Sequence, residues 1–582
     1  MVAEKRKRAE EAQGVKCKIL KVDDPFISHF NCELAPNVTE TLLNNTAYSL
    51  PSSSTSVEGV GLVRFGQRCV QFPCPVTEQL LESFESLGIT SKLMENYGII
   101  TNGKSSPIEK FLFNIMSRYM DLYFANDMGN YMVLYCLHVL NHLVKTKNLV
   151  LSNNRRLQEL HDKGCLNEDE IEKSRDQGFV RPKVLILCPM RKDAYSIIEC
   201  FMRLIFGDSE KTFVSNFHRF KAEFGDNGYR VNEHKIVSEE YKELMSGNND
   251  DCFRLGVSIA KKGLRLYTPF EKSDIILASP LGIRLIVGDK SESDRKVGFL
   301  SSIEIVIVDK VGRKEDFIIR NAEVMLMQNW EQLLNVIDSL HCIPEKIEVD
   351  MSRVRKWALD QQAKLYRQTL VFSSTVITEC RALLITRCFN FAGFAQVMDH
   401  SDGFISKIDV PFSQELRRFE VEDSENQSEE RLKFFKSKIL PNCSAGTLVF
   451  IPSYFDFVKV RNHLKREDES FVQLHEYAKP GKVAKGRSLF LHGKKKIMLV
   501  TERFHFYRRF NIKGIKSLVF YQPPAMPSFY HELINMVDVP DRVVVRLIYC
   551  IFDTDRMRNI FGDVYSEKLL MSAKNAHVLV SE

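Results

Sequence analysis

The sequence has no C-x-x-C pair among its 14 cysteines, and the nearest spacing, Cys69 with Cys74, is wrong for a zinc knuckle. That absence argues against a structural metal and leaves reduced, buried thiols of an intracellular protein as the expected state. No apolar core follows the charged start MVAEKRKRAEEAQ, and no later run reaches the length of a membrane span, so a soluble chain without a membrane partner is expected. A charge surplus is also missing. With 81 basic and 75 acidic residues the net charge is +6, and a nucleic-acid partner has to be argued from local clusters. Residues 1–75 lack an apolar period, above all from Asn44 to Glu58, around SLPSSSTSVE. They are expected to form a largely loosely ordered, partly disordered N-terminal extension. Its run Lys5, Arg6, Lys7, Arg8 is either a nuclear import signal or an ordinary solvated tail.

What is present suffices for real cores. Hydrophobic residues make up 44% of 582, enough for several domains. Apolar positions recur at three and four in PIEKFLFNIMSRYMDLYF (from Pro107) and MVLYCLHVLNHLVK (from Met132), which predicts helices. Short apolar runs then take over: KVLILCP (Lys183 to Pro189), DIILASP (Asp274 to Pro280), IEIVIVD (Ile303 to Asp309) and QTLVFSS (Gln368 to Ser374). After the acidic connection Glu420 to Glu430 the pattern restarts in GTLVFIPS, KIMLVTE, KSLVFYQPP and RVVVRLIYCIF. Such runs predict strands buried on both faces of parallel sheets. The expectation is an α/β chain with two tandem sheet domains, 76–410 and 411–582.

The stretch GIITNGKS, Gly98 to Ser105, spells the phosphate-loop pattern with Lys104 as its lysine. A working loop must follow a buried strand and open a helix. The preceding SKLMENY is polar and helix-like, and Pro107 fits the first turn of a helix capped by Ser105 or Ser106. The match is therefore taken as an accident of spelling. His138 and His142, spaced i and i+4, lack a third ligand and form a helix-face pair. Cys188, near Arg191, is read as the small residue of a turn.

In order along the chain, Cys188-Pro189-Met190-Arg191, Ala278-Ser279-Pro280-Leu281-Gly282, Val308-Asp309, Ser373-Ser374-Thr375 and Val449-Phe450-Ile451 resemble the strand-end motifs of DEAD-box RNA helicases, which carry two RecA-like domains. DPFISHF (Asp24 to Phe30), GNNDDCFRLG, MLMQNWE, FIPSYFDFVKVRNHLK and TERFHFYRRF resemble the digestive organ expansion factor family more closely still. These are helicase-like U3 small nucleolar RNA-associated proteins of the small-subunit processome. The resemblance implies a nuclear and nucleolar protein of pre-ribosomal RNA processing and 40S subunit formation. Its partners would be U3 small nucleolar RNA, pre-ribosomal RNA, or both, together with processome proteins.

On that alignment the motor parts are altered. Tyr131 stands at the phosphate-loop lysine and Met132 at the Mg²⁺-binding hydroxyl, with only Gly129 left of the glycines. Asp309 remains, but Lys310 replaces the glutamate that orients water. The segment Val311 to Asn321 interrupts the motif, as a surface insertion or, the favoured alternative, a retained intron. Where arginines should meet phosphate, YHELINMVD keeps His531 but has Glu532 and Asn535. No catalytic, cofactor-binding or metal-ligating residue and no small-molecule substrate is expected. A divergent ATP-dependent helicase and a pure protein scaffold remain the alternatives. For binding, the candidates are Lys494, Lys495, Lys496, Arg503, Phe504, His505, Phe506, Tyr507, Arg508 and Arg509. Cations there meet RNA phosphates or a partner while rings stack on bases, or the rings pack inward.

Overall fold

The structure, a computed structural model, describes residues 24–44, 52–69, 75, 77–126, 131–208, 213–232, 237, 239–260, 263–288, 295–309, 322–347, 349–398, 402–409, 413–537 and 544–580. The run Lys5 to Arg8, Gly129, Lys310 and the segment 311–321 lie outside the described residues.

The apolar runs become strands buried on both faces, as a parallel sheet between helical layers requires. The first sheet holds β1 (Ser52–Val57), β2 (Gly61–Gly66), β3 (Asp121–Ala125), β4 (Val184–Leu187), β5 (Val214–Ser215), β6 (Arg254–Ala260), β7 (Gly263–Leu266), β8 (Ile275–Ala278), β9 (Ile305–Val308), β10 (Gln368–Ser373) and β11 (Phe394–Met398). Their order is β1-β2-β11-β3-β10-β9-β4-β8-β6-β7-β5. From β11 to β8 all neighbours are parallel. The early strand β3 sits between the late strands β10 and β11. Chain direction along the sheet reverses there, which makes its C-terminal end the place where α/β sheets bind ligands.

The second sheet comprises β12 (Ser413–Arg418), β13 (Thr447–Ile451), β14 (Phe471–Leu474), β15 (Ile497–Thr501), β16 (Ser517–Phe520), β17 (Val544–Tyr549) and β18 (Ala576–Val580), in the order β14-β15-β13-β16-β17-β12-β18. Only the edge strand β18 runs antiparallel to its neighbour. The chain is thus a pair of tandem RecA-like α/β domains.

One sequence expectation needs correction. PIEKFLFNIMSRYMDLYF is not one helix. The helix ends at Ser117, Tyr119 takes φ 58°, and Asp121–Ala125 is the central strand β3. A five-residue apolar run cannot declare its period, so sequence alone extends the helix across it. Part of the chain before residue 75 is built into the first domain. Ser52–Val57 pairs with β2, and β2 pairs with β11. Gly66 is needed there, because a Cβ would lie 2.0 Å from the Phe394 ring. Upstream, Asp24 caps the helix Pro25–Phe30 and binds Lys145 Nζ at 2.7 Å. That helix buries Phe26, His29 and Phe30, with the His29 ring stacked between Tyr119 at 4.8 Å and Phe391 at 4.7 Å.

The domains are joined through packed side chains. Met190, Leu244, Val324 and Met327 of the first share one buried apolar cluster with Phe504, Phe506 and Phe529 of the second. Asp555 accepts from Arg381 at 2.5 Å and from Thr378 at 3.2 Å, while Asn559 donates to the Val376 carbonyl at 2.7 Å. Domains move freely unless their interface is large and apolar; this one is apolar at its centre. Asp555→Ala is expected to remove about 1.5–3 kcal/mol of coupling. Limited proteolysis should then cut faster between the domains while circular dichroism stays unchanged.

Candidate nucleotide cradle and nucleic-acid interface

At the switch point, β3 leads into the long helix Tyr131–Asp162. Strand, short loop and helix N-terminus form the setting in which backbone N–H groups hold phosphates. The side chain opening this helix is Tyr131. Its ring lies flat on Phe372 at 5.4 Å and edge-on to Phe124 at 4.9 Å, and it carries no charge. One turn on, Tyr135 is fully buried 5.5 Å from Phe372. Burial, then the neighbouring Asp309 carboxylate, pushes its phenol well above the usual range. Asp309 is itself fully buried at the end of β9. The Cys188 thiol beside it is pushed up by burial, then by Asp193 and Asp309, which makes it an inert turn residue.

The end of β10 is tied to β3 as well. Ser373 Oγ donates to the Thr375 carbonyl at 2.7 Å, and the Ile377 N–H donates to the Tyr123 hydroxyl at 2.7 Å. The turn after Ser373 then reaches the second domain through Val376. GIITNGKS lies elsewhere. Gly98 is inside the helix Ser91–Ile100, Lys104 is exposed, and Ser106 caps the helix Pro107–Ser117 in a capping box with Glu109. His138 contacts Gln368 Oε1 at 2.8 Å, and His142 contacts Glu304 at 3.1 Å, both at the opposite end of the sheet.

In the second domain, the helix Ser528–Asn535 carries the retained His531 and the two altered positions, Glu532 and Asn535. The His531 ring stacks on Phe404 at 5.9 Å, and burial lowers its pKa to about 4. Glu532 pairs with Arg509 and lies 3.4 Å from His505. Asn535 Nδ2 donates to Asp409 at 3.0 Å and to the Lys407 carbonyl at 3.2 Å, holding the chain that enters the domain.

The basic–aromatic run is not one surface. Lys494, Lys495 and Lys496 precede β15, whereas Arg503 to Arg509 follow it, so roughly 17 Å of strand separates them. Lys496 lies 3.7 Å from Glu469. In the helix Glu502–Arg508, Phe504, His505 and Phe506 are buried, and Arg509 is 7% exposed with its guanidinium over Phe529 at 4.3 Å. Glu502 is buried too; burial pushes it up to about 7, against N–H donation from Met526 and Ala525. What reaches solvent is Arg503, paired at 3.9 Å with Glu476, together with Tyr507 and Arg508. The Tyr507 carbonyl accepts from Tyr241 of the first domain at 2.9 Å. Sequence reasoning missed Tyr135 and Phe372. One helical turn after Tyr131 and the position before Ser373 were the only signals for them.

Parallel order, the reversal beside β3 and an aromatic-lined strand–loop–helix corner define the class: a tandem RecA-like, helicase-like α/β protein. Within that class the chain belongs to the U3 small nucleolar RNA-associated protein 25 family. Residues 119–395 match "UTP25, NTP hydrolase-like domain" and residues 404–579 match "Utp25, C-terminal domain". The U3 small nucleolar RNA-associated protein 25 homolog of Homo sapiens is 35% identical over 98% of this chain and 77% of its own length. The Schizosaccharomyces pombe protein is 33% identical over 93% and 82%. The crystal structure of the yeast DEAD-box splicing factor Prp28 covers 92% of the chain and 91% of its own at 13% identity and a TM-score of 0.29, too low to add to the strand order.

Proposed function

We propose that the protein is a non-catalytic, helicase-like component of the small-subunit processome. It acts in the nucleolus on pre-ribosomal RNA processing and 40S subunit formation, through contacts with U3 or pre-ribosomal RNA and with processome proteins. The relatives' names supply the U3 association. The non-catalytic part is carried by one observation: the Tyr131 ring lies on Phe372 where a phosphate-binding lysine would have to stand. Phosphoryl transfer needs a cationic cradle, a metal-holding acid and cations from the second domain. Here a phenol opens the helix, Asp309 is shut against Tyr135, and Glu532 presents a carboxylate already paired with Arg509. These residues do not fit a nucleoside triphosphate with its metal, and no step is routed through one.

Purified protein is expected to show no RNA-stimulated ATP hydrolysis above background and no saturable ATP binding, with Lys104→Ala without effect in cells. ATP binding abolished by Lys104→Ala would overturn the proposal. The burial of Phe504, His505 and Phe506 favours a second reading, a scaffold that meets only proteins through this run. RNA crosslinking in cells, mapped to peptides, separates the two.

A further inference from the structure

Large aromatic side chains are rarely left in water, and the most exposed one among the described residues is Phe455, at 82%. It lies in the first turn of the helix Tyr454–Arg466, which follows β13 at the C-terminal end of the second sheet. Beside it in the chain, Tyr454 stands edge-on to Tyr477 at 5.3 Å, and Tyr477, just after β14, is 66% exposed. Glu476, next to Tyr477 in the chain, contacts Arg503; Arg503 in turn reaches Tyr507, 39% exposed. Three exposed rings therefore follow the C-terminal ends of β13, β14 and β15 in the chain.

The fully exposed charges beside Tyr477 are cations. Lys479 and Lys482 are exposed directly after Tyr477, and Arg461 and Lys482 both stand close enough to act on His475. Arg503 and Arg508 extend the series toward the first domain. Of the carboxylates nearby, Asp456 is buried against Ser428 and Glu476 is engaged by Arg503 and Thr501 Oγ. Rings alternating with cations suit an unpaired polynucleotide: phosphates meet the cations while each base offers a π-face whatever its sequence. A protein partner would have to match an 82%-exposed phenylalanine with an apolar pocket and also offer acidic groups. A polyanion with flat rings satisfies both at once.

We propose that Phe455 and Tyr477 form a base-stacking platform for single-stranded RNA, with Lys479 and Lys482 holding its phosphates. This rests on the proposed RNA contact of the protein. It adds a site on separate elements, with stacking in place of the buried Phe504 and Phe506.

The full chain is titrated with an unstructured, mixed-sequence RNA of about 12 nucleotides, a length within the range such surfaces cover. Phe455→Ala with Tyr477→Ala is expected to weaken binding by roughly 30-fold or more, with little change in salt dependence. Lys479→Ala with Lys482→Ala should instead flatten the logarithmic salt slope, by roughly 0.7 for every phosphate that is no longer neutralised. Because the rings are exposed, the melting temperature should not move. If wild type binds and Arg503→Ala with Arg508→Ala weakens it, but loss of both rings is silent, the platform is refuted while RNA contact stands. If wild type does not bind the probe at all, both fail and this face is left for a protein.

Discussion

Glu304→Ala is expected to lower the stability of the first domain by about 3–5 kcal/mol, the usual result of stripping the partner from buried charges. Against a total of about 5–15 kcal/mol, this is the largest electrostatic effect anticipated from any single substitution. Glu304 is 2% exposed and lies just before β9. Lys183 approaches it at 2.9 Å, Arg355 at 3.3 Å and His142 at 3.1 Å, all three buried. Burial alone would raise its pKa, but Arg355 and Lys183 outweigh burial and hold the carboxyl well below the usual carboxylate range. A group shifted this way stabilises the fold above its unfolded pKa and loses that contribution only as pH falls through the lower folded value. Its histidine neighbours act sooner. Burial holds His29 near 4 and His138 near 3. Below about pH 6.5 the unfolded chain takes up protons that these folded histidines refuse, so stability declines from there downward. Denaturant unfolding at neutral pH and again near pH 5 measures both effects. A loss under about 1 kcal/mol for Glu304→Ala would mean the cluster is reached by water and worth no more than a surface pair.

The parallel core of both sheets was legible because strands covered on both faces are written as apolar runs. KVLILCP, DIILASP, IEIVIVD and QTLVFSS fell where β4, β8, β9 and β10 lie. Strands without that signature were not. Ser52–Val57 is polar along its length because it sits at a sheet edge, and β12, SQELRR, reads as charged chain. The replacement of the phosphate-loop lysine by Tyr131 could be seen in the letters. The ring of Phe372 beneath it could not, since that contact joins residues far apart in the chain. The same holds for the interdomain core, where Leu244 and Phe506 meet. Within RFHFYRR the letters carry no phase. Only the packing of a short helix against Phe529 and the apolar cluster around it decides which rings turn inward and which reach water.

That packing makes Phe506 and Arg508 opposite in effect, although a single residue lies between them. Phe506→Ala removes a fully buried ring from the cluster shared with Met190, Leu244 and Val324, and is expected to cost about 3–5 kcal/mol. The loss should appear as a lower melting temperature and easier separation of the domains, with RNA affinity of the remaining folded protein unchanged. Arg509→Ala belongs with it, because Glu532 would be left without its cation. Arg508→Ala and Arg503→Ala act on the exposed side. They should leave melting nearly unchanged and flatten the salt dependence of RNA binding by roughly 0.7 for each phosphate left without its cation. Thermal melts and binding titrations on the same four variants resolve the matter. If Phe506→Ala weakened RNA binding at an unchanged melting temperature, the ring would have to face the ligand, and the closed, apolar junction between the domains would have to open when RNA binds.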